Sequence, residues 1–506
     1  MLGWRHGLPL AVAALAVLAV LAVAATGCEP APDDAREAQI VAVLAAADEP
    51  YVRARPALSA GKYARMASGV IDFYRGTVPL FRSDMRTGST TLAVSRFDLD
   101  VPLVPSIGDP HPENFGGLRA PDGTLAIEPN DFDTADRAPY LWDLRRLAVG
   151  LALAALASNP DDADAHGRVV GARRAIARSA IAGYRAGIEA AARGEAPARV
   201  TVATDPILAS VIRRSERDYA RRRELSDLSV LDGGRRMLQR GRIDPEDPQK
   251  VYADLPPFAL AELPGALERW RRTLVAPPPE EHVRLLDAVR VFGSGVASWP
   301  RTRVVLLVRG PTDAPDDDWM LELKELGDSM IGGLWPPGVH ADSVGERVVR
   351  SARLAWARPD AEPFWGWTTW LGLPCQIRLE SEGHKGVRVA RMVGEEGTPE
   401  ALTALGAVLG DIVARVHASG PGGIENARAV YARIAIDPEG FLDEQADACV
   451  AYAELVVADH LRFARSLHRP DGLRLGIPFD PSDAPRPDIA AVFGVPPPLP
   501  PLPSSP

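Results

Sequence analysis

The fold of this chain is decided by the stretch Ile107-Gly108-Asp109-Pro110-His111-Pro112-Glu113-Asn114-Phe115-Gly116. Glycine, proline and aspartate at this density predict a loop, and the apolar runs at 101–107 and 125–128 predict a short strand before it and another after it. A second polar group, Asn130-Asp131-Phe132-Asp133, follows the second strand. Because both polar groups come directly after short strands, we expect their side chains to converge on one cleft.

The polar residues of these two loops suit the handling of a metal ion and of phosphate. Asp109, Asn114 and Asp131 offer hard oxygen ligands or bases, and Mg²⁺ takes few protein oxygens and completes its shell with water and phosphate. A carboxylate outside the metal shell can orient a hydroxyl group or water, as phosphoryl transfer requires. The same residue types also form ordinary turns. Each loop alone would favour a turn, but their order along the chain favours a functional site.

A different pattern begins near residue 286 and predicts a β-rich region. Gly293-Ser294-Gly295 leads into it, and the runs at 302–308 and 319–323 predict the two strands of a hairpin. Glycines let backbone N–H groups approach a phosphate closely, and a lysine at a strand end, here Lys324, can reach nucleotide phosphates. The alternatives are a plain turn between strands and an ordinary edge-strand lysine.

These motifs together resemble a known family. The chain is similar to the uncharacterised bacterial family DUF2252 over most of residues 50–470, and its loops resemble those of aminoglycoside-phosphotransferase-like and protein-kinase-like enzymes. The matching segments are Phe73-Tyr74-Arg75-Gly76, the loop at 108–116, Asn130-Asp131-Phe132-Asp133, Trp142-Asp143-Leu144-Arg145-Arg146-Leu147, the loop at 293–298, Leu323-Lys324-Glu325, Gly345-Glu346-Arg347-Val348-Val349 and Ala414-Arg415-Val416-His417-Ala418.

The resemblance implies a role for each residue of the polar loops. Asp109 resembles a catalytic base, Asn114 resembles a metal-binding asparagine, and Asp131 resembles a metal-binding aspartate beside the nucleotide phosphates. Three further residues are expected to support them: His111, Asp133 and Asp143. Plain loop packing is an equal alternative for His111, and Asp143 is expected to act as a helix cap or as a brace for the catalytic loop.

The resemblance also implies a nucleotide-binding set in the β-rich region. The glycine loop resembles a G-x-G-x-x-G phosphate cover with a serine in place of the third glycine. The residues expected to bind the nucleotide are Gly293, Ser294, Gly295, Ser298, Lys324 and Glu346. Glu346 opens a predicted helix, where it would pair with Lys324 or, alternatively, act only as a first-turn carboxylate favoured by the helix dipole.

The order of these parts is unusual, because in ordinary kinases the glycine loop and the lysine precede the catalytic loop. We therefore expect an α+β, protein-kinase-like two-lobed fold in rearranged, circularly permuted order, with a largely helical C-lobe and a small antiparallel β lobe. The expected divisions are a helical lobe with both polar loops at 51–285, a nucleotide-binding β lobe at 286–395, C-terminal helices at 396–475 and a proline-rich tail at 476–506.

The first residues predict export and lipid attachment. A positive pair at 5–6 precedes an apolar run at 8–25, and Ala25-Thr26-Gly27-Cys28 resembles a bacterial lipobox. This implies a signal peptide at 1–27, acylation of Cys28, a tether at 28–50 and a membrane-anchored lipoprotein of the cell envelope. An uncleaved signal anchor is the alternative. The other two cysteines, Cys375 and Cys449, lack CxxC spacing, and either a disulfide or two free thiols would fit.

Composition narrows the functional class. The net charge of −10 does not favour a nucleic-acid surface, and 46% apolar residues suffice for a large core. The leading hypothesis is a phosphotransferase that uses ATP and Mg²⁺ on an unknown hydroxyl acceptor. AMP transfer is one alternative. A nucleotide-binding pseudokinase scaffold is another, because ATP is scarce outside the cytoplasm.

Overall fold

The computed structural model describes residues 32–468, apart from 88–89, 91, 93, 204, 242, 245–246, 328–342 and 381–382. The expected signal peptide, Cys28 and the proline-rich tail lie outside the described residues. Within the described part of the chain, no helix is long and apolar enough to cross a bilayer.

The chain folds as an α+β protein, which confirms the expected class. The helices are α1 (Pro32–Ala54), α2 (Pro56–Ala67), α3 (Val70–Gly76), α4 (Val78–Thr87), α5 (Tyr140–Leu156), α6 (Ala163–Gly171), α7 (Arg173–Ala192), α8 (Pro206–Ala220), α9 (Arg223–Leu228), α10 (Pro257–Arg271), α11 (Val344–Ala355), α12 (Val389–Met392), α13 (Pro399–His417), α14 (Gly423–Ile434) and α15 (Pro438–Ser466). The strands are β1 (Val104–Ser106), β2 (Phe115–Arg119), β3 (Leu125–Pro129), β4 (Asp136–Ala138), β5 (Ser229–Asp232), β6 (Arg235–Leu238), β7 (Ile243–Asp244), β8 (Asp247–Ala253), β9 (Leu285–Phe292), β10 (Arg303–Val308), β11 (Trp319–Glu325), β12 (Gly366–Trp370) and β13 (Leu373–Leu379).

A seven-stranded antiparallel sheet forms the β-rich part, in the order β12-β13-β11-β10-β9-β8-β7. The expected hairpin is its centre, where Arg303 of β10 pairs with Lys324 of β11. The sheet begins earlier than the expected boundary at 286, because β7 and β8 join its edge. β8 pairs with β9 and β7 pairs with β8, so hydrogen bonding between strands rather than a periodic sequence pattern identifies them. One face of the sheet is covered by α10, whose Leu263 and Trp270 are buried against it.

The helical part packs around α5, whose residues are almost all buried. Helices α7 and α13 approach each other especially closely. A Cβ atom on Gly410 would lie 2.0 Å from the Ala180 carbonyl oxygen, and one on Gly183 would lie 2.1 Å from the Ala407 carbonyl oxygen. Only glycine permits this backbone contact, so these two positions set the spacing of the helices.

Residues 32–50 do not form the expected tether. They belong to α1, where Ile40 and Leu44 are buried in the main core and Arg36 pairs with Asp84 and Asp459. Ile40 and Leu44 are four positions apart and so share one helix face, but a stretch rich in alanine gives little contrast between faces. The consequence is functional, because α1 reaches the candidate site.

Candidate functional site

A cleft of about 720 Å³ brings the two distant halves of the predicted site together. We call it the polar cleft. The predicted site residues that line it are Asp109, His111, Asn114, Asp131, Asp133, Ser294, Gly295, Ser298 and Lys324. The loop residues come from the segment between β1 and β4, and the others come from β11 and the turn between β9 and β10. A single site therefore draws on both parts of the fold.

The loop that carries Asp109 is held from beneath by Asp143, which lies in the first turn of α5. The Asp143 carboxylate accepts hydrogen bonds from the Ser106 hydroxyl at 2.7 Å and from the backbone N–H groups of Ile107 at 2.7 Å and Gly108 at 3.0 Å. Gly108 has a φ of +88°, and a Cβ there would meet the Thr134 carbonyl oxygen at 2.1 Å. Asp143 is 1% exposed and does not line the polar cleft, so it braces the loop.

Asp109 itself is clamped by Arg146, a residue that sequence reasoning did not single out. Arg146 Nε donates to Asp109 Oδ1 at 2.7 Å, and Arg146 Nη2 donates to the Tyr74 carbonyl oxygen at 2.7 Å. The guanidinium carbon lies 3.6 Å from the centroid of the Tyr74 ring. Two of the matching motifs thus serve to hold Asp109. The available signal was that Arg146 lies three positions after Asp143, on the same helix face.

His111 packs beside Asp109 without a close hydrogen bond to it. His111 Nε2 lies 3.8 Å from Asp109 Oδ2, which is too long for a strong hydrogen bond. Burial lowers the pKa of His111 to about 4, even though the Asp109 charge acts in the opposite direction. The imidazole is therefore neutral near pH 7 and contributes no positive charge to the cleft.

Asn114 and Asp131 present oxygens that suit a divalent cation. The Asn114 side-chain N–H donates to the Asp109 carbonyl oxygen at 2.7 Å, which leaves the amide oxygen available, and Asp131 Oδ1 accepts from the Asp133 N–H at 3.1 Å. Within the described ranges, no group of three or more His, Cys, Asp or Glu side chains is placed to hold a metal ion. The site fits Mg²⁺, which needs few protein oxygens, and it does not fit a metal that requires a full protein cage.

Lys324 joins the two halves through ion pairs. Its ammonium lies 2.8 Å from Asp133 Oδ2 and 3.3 Å from Asp131 Oδ2, and Arg301 Nη1 lies 3.0 Å from Asp133 Oδ2. Burial opposes ionisation of Asp131, but Lys324, the Asp133 N–H group and Arg378 together hold the pKa of Asp131 well below its usual value. Asp131 is therefore a carboxylate at neutral pH, the form in which it could bind a metal ion.

The expected pairing of Glu346 with Lys324 is wrong. Glu346 pairs with Arg350 at 2.5 Å, one turn along α11, and its N–H group donates to the Ser343 cap at 3.4 Å. The next residue, Arg347, is the one that contacts the site, since it donates to the carbonyl oxygens of Asp133 at 2.8 Å and Gly327 at 2.9 Å. The rotation of α11 thus directs an arginine, and not the glutamate, towards the loop at 130–133.

The glycine loop curves over the polar cleft and rests on the N-terminal helices. Gly293 and Gly295 have φ values of +73° and +78°, and the lining residues begin at Ser294. Gly293 thus makes the turn without lining the cleft. Behind the loop, the Trp299 indole packs so closely on Gly61 of α2 that a Cβ there would lie 2.3 Å from its nitrogen.

Helices α1 and α2 contribute residues to the polar cleft that the sequence did not indicate. Arg301 Nε donates to the Tyr51 hydroxyl at 3.0 Å, and Lys62 Nζ donates to both Asp48 oxygens at 2.8 and 2.7 Å. All four residues line the cleft. Asp48 was missed because residues 28–50 were expected to be a tether, and no motif marks Tyr51, Lys62 or Arg301.

The fold and the cleft define an α+β protein with one ion-paired site built from both of its parts. Over residues 53–466 the chain matches the family described as "Uncharacterized protein conserved in bacteria (DUF2252)". It belongs to this family, as its motifs predicted. No curated protein and no solved structure matches the chain.

Proposed function

We propose that this protein is a Mg²⁺-dependent phosphotransferase that transfers the terminal phosphoryl group of ATP to a hydroxyl acceptor. One observation carries the proposal. Asp109, Asn114 and Asp131 line the same cleft as Lys324 and the glycine loop, although the chain places these two sets in separate segments. Phosphoryl transfer needs mainly positioning and charge neutralisation, and this set of residues offers both.

The strand order supports a kinase-like architecture in rearranged order. The glycine loop connects β9 to β10, Lys324 lies on the neighbouring β11, and α11 follows in the chain. This is the order within the β lobe that the kinase-like interpretation requires. The catalytic loop precedes it in the chain, so we propose a circular permutation of the two lobes.

Four residues of the cleft have a role in the proposed reaction: Asp109, Asn114, Asp131 and Lys324. Mg²⁺, held by Asn114 and Asp131, would neutralise charge on the phosphates. Asp109, held in place by Arg146, accepts the proton of the acceptor hydroxyl as its oxygen bonds to the terminal phosphorus. The bond between that phosphorus and the bridging oxygen breaks, and ADP leaves with the electron pair. Lys324 exchanges its contact with Asp131 for the phosphate oxygens.

The predicted lipid anchor completes the proposal. Acylation of Cys28 would tether the enzyme to the membrane of the cell envelope, outside the cytoplasm. Mass spectrometry of the N-terminal tryptic fragment, from protein extracted with detergent, tests this directly. A diacylated or triacylated Cys28 supports the anchor, and an intact residue 1 with an unmodified Cys28 contradicts it.

The proposed reaction is tested by ³¹P NMR of ATP incubated with the protein, Mg²⁺ and a cell extract that supplies acceptors. The expected products are ADP and a new phosphate monoester. Release of pyrophosphate would instead indicate AMP transfer, and unchanged ATP under conditions in which it binds would indicate a scaffold without catalysis.

A further inference from the structure

The sheet face that carries Lys324 shows what can lie beside the phosphates. Side chains alternate between the two faces of a strand, so Glu322 and Met320 share the face of Lys324. Across the register, Arg303 pairs with Lys324 and Val305 pairs with Glu322. This is the sheet surface on which a planar base could stack next to phosphates held by Lys324.

The part of this face nearest to Lys324 is occupied by an ionic cluster. Glu322 Oε2 lies 2.5 Å from Arg303 Nη1, and Glu322 Oε1 lies 4.0 Å from Arg378 Nε. Arg378 is fixed in turn, because its Nη1 donates to the Asn130 carbonyl oxygen at 2.8 Å. Arg303 and Arg378 line the polar cleft. The sheet surface beside Lys324 is therefore covered by charged side chains. A stacked base would need an apolar surface there.

The apolar part of the same face lies across the sheet on β9 and farther along β10 and β11, and it is already covered. The apolar side chains on this surface are Val289, Val291, Val305, Leu307 and Met320, and three further side chains pack on them. These covering residues are Leu225 of α9, Leu238 of β6 and Tyr252 of β8. All eight side chains are buried, so this surface is closed to a ligand in the structure.

The aromatic ring that lines the polar cleft is also engaged. Among the described lining residues, Tyr51 carries a phenol ring, and the other aromatic ring, the His111 imidazole, belongs to a residue that is only 5% exposed. The guanidinium carbons of Arg55 and Arg301 lie 5.5 and 5.9 Å from its ring centroid. Proteins often hold a base of any identity by stacking it on an aromatic side chain. Here the face of the Tyr51 ring is already close to two guanidinium groups.

We propose that the polar cleft recognises its phosphoryl donor through the phosphate chain and its metal, and not through a base. This rests on the proposed function and specifies its donor class: any Mg²⁺-bound triphosphate, including inorganic tripolyphosphate. Lys324, Arg301 and Arg303 supply the cationic wall, and the turn at 294–298 supplies backbone N–H groups. The transfer step is unchanged. The acceptor oxygen bonds to the terminal phosphorus, the phosphorus–oxygen bridge breaks, the shortened chain leaves with the electron pair, and Asp109 takes the proton.

The test is isothermal titration calorimetry of the full-length chain in detergent, with Mg²⁺ in excess over every ligand. The ligands are ATP, GTP and CTP, which differ only in the base, and sodium tripolyphosphate, which has none. We expect the four dissociation constants to agree within about fivefold, which is a small difference in binding free energy. The reason is that all four ligands share the phosphate chain and the Mg²⁺ that the cleft is proposed to recognise. Lys324→Met is expected to weaken all four by at least tenfold. Lys385→Met, which removes an ion-paired lysine outside the cleft, is expected to weaken none.

The outcomes separate this inference from the function on which it rests. Binding of ATP at least tenfold tighter than both tripolyphosphate and the other nucleotides overturns the inference and leaves the phosphotransferase proposal standing. Failure of all four ligands to bind the folded wild-type chain, as judged by circular dichroism, overturns both. If Lys385→Met weakened binding of any of the four ligands as much as Lys324→Met does, the inference would also be overturned, because the binding site would then lie elsewhere.

Discussion

Arg146 Nε donates a hydrogen bond of 2.7 Å to Asp109 Oδ1, and the Arg146 side chain is 1% exposed. The carboxylate proposed to take the acceptor proton is thus held by a cation that does not line the polar cleft. This relationship links the helix α5 motif to the loop that carries Asp109, and under the proposed function it predicts effects on turnover that are separable from effects on ligand binding.

Replacing Arg146 by glutamine is expected to slow turnover of Mg-ATP at least tenfold. The affinity for Mg-ATP should stay within about threefold of wild type, because the lost ion pair orients Asp109 and does not touch the ligand. Removing one partner of a buried ion pair costs roughly 3–5 kcal/mol, so urea unfolding should show a large loss of stability. Turnover is measured per folded molecule.

The matched control is Arg145→Gln. Arg145 is equally buried, but its Nε donates to the Gln445 side-chain oxygen at 2.8 Å and not to Asp109. It should also lower stability, because the buried Gln445 side chain loses a hydrogen-bond donor, and it should leave turnover per folded molecule unchanged. Equal loss of turnover in both variants would show that Arg146 acts on folding alone.

The close contact of α7 and α13 predicts opposite effects for two glycine substitutions. Gly410→Ala should destabilise the protein by about 1–3 kcal/mol or more, because the new methyl group meets backbone that cannot move without separating the helices. Gly167→Ala, in the exposed interior of α6 with nothing within 4 Å of the new Cβ, should stabilise by roughly 0.5–1 kcal/mol. Urea midpoints that shift in the same direction for both variants would contradict this account of the packing.

Glu362 predicts a pH dependence of stability. Burial raises its pKa to about 7 in the folded protein, although Arg378 acts in the opposite direction. The folded state therefore holds a proton that the unfolded state releases near pH 4.5, and the stabilisation is fully present below that pH and is lost as the pH rises through 7. The loss is at most about 3 kcal/mol, taking 1.36 kcal/mol per pKa unit.

The measurement compares wild type with Glu362→Gln, which keeps an oxygen acceptor for the Phe364 N–H group and cannot ionise. The difference in unfolding free energy between the two should change in favour of the glutamine variant from pH 5 to pH 8. A difference that stays constant over this range would show that Glu362 does not titrate in the folded state near pH 7.

Several parts of the site could be predicted because their chemistry is local. The loop around Asp109, the aspartate at 131 and the strand-end Lys324 are marked by residue type and by neighbouring strands. Glu346 was misassigned because the rotation of α11 about its axis depends on packing with the sheet, which no short motif encodes. The role of Arg146 on α5 was missed for the same reason, because its partner Asp109 lies in a distant loop.

The fold shows the same division between local and non-local information. The central strands β10 and β11 and the helices α5 and α13 follow from strong apolar patterns. Helix α1 resembled a tether because an alanine-rich sequence hides which face is buried. Strand β8 is defined by its pairing with β9, and β7 by its pairing with β8. Features that depend on a partner distant in sequence were the ones that pattern reasoning could not supply.

The central claim is that the two distant halves form one Mg²⁺-dependent phosphate site. Its most direct test is calorimetric titration of ATP, with and without Mg²⁺, into wild type, Asp131→Asn and Lys324→Met. We expect wild type to bind ATP at least tenfold more tightly with Mg²⁺ than without it. Asp131→Asn should lose this Mg²⁺ dependence, and Lys324→Met should weaken binding at least tenfold. Binding of Mg-ATP that is unchanged in either variant would contradict the claim.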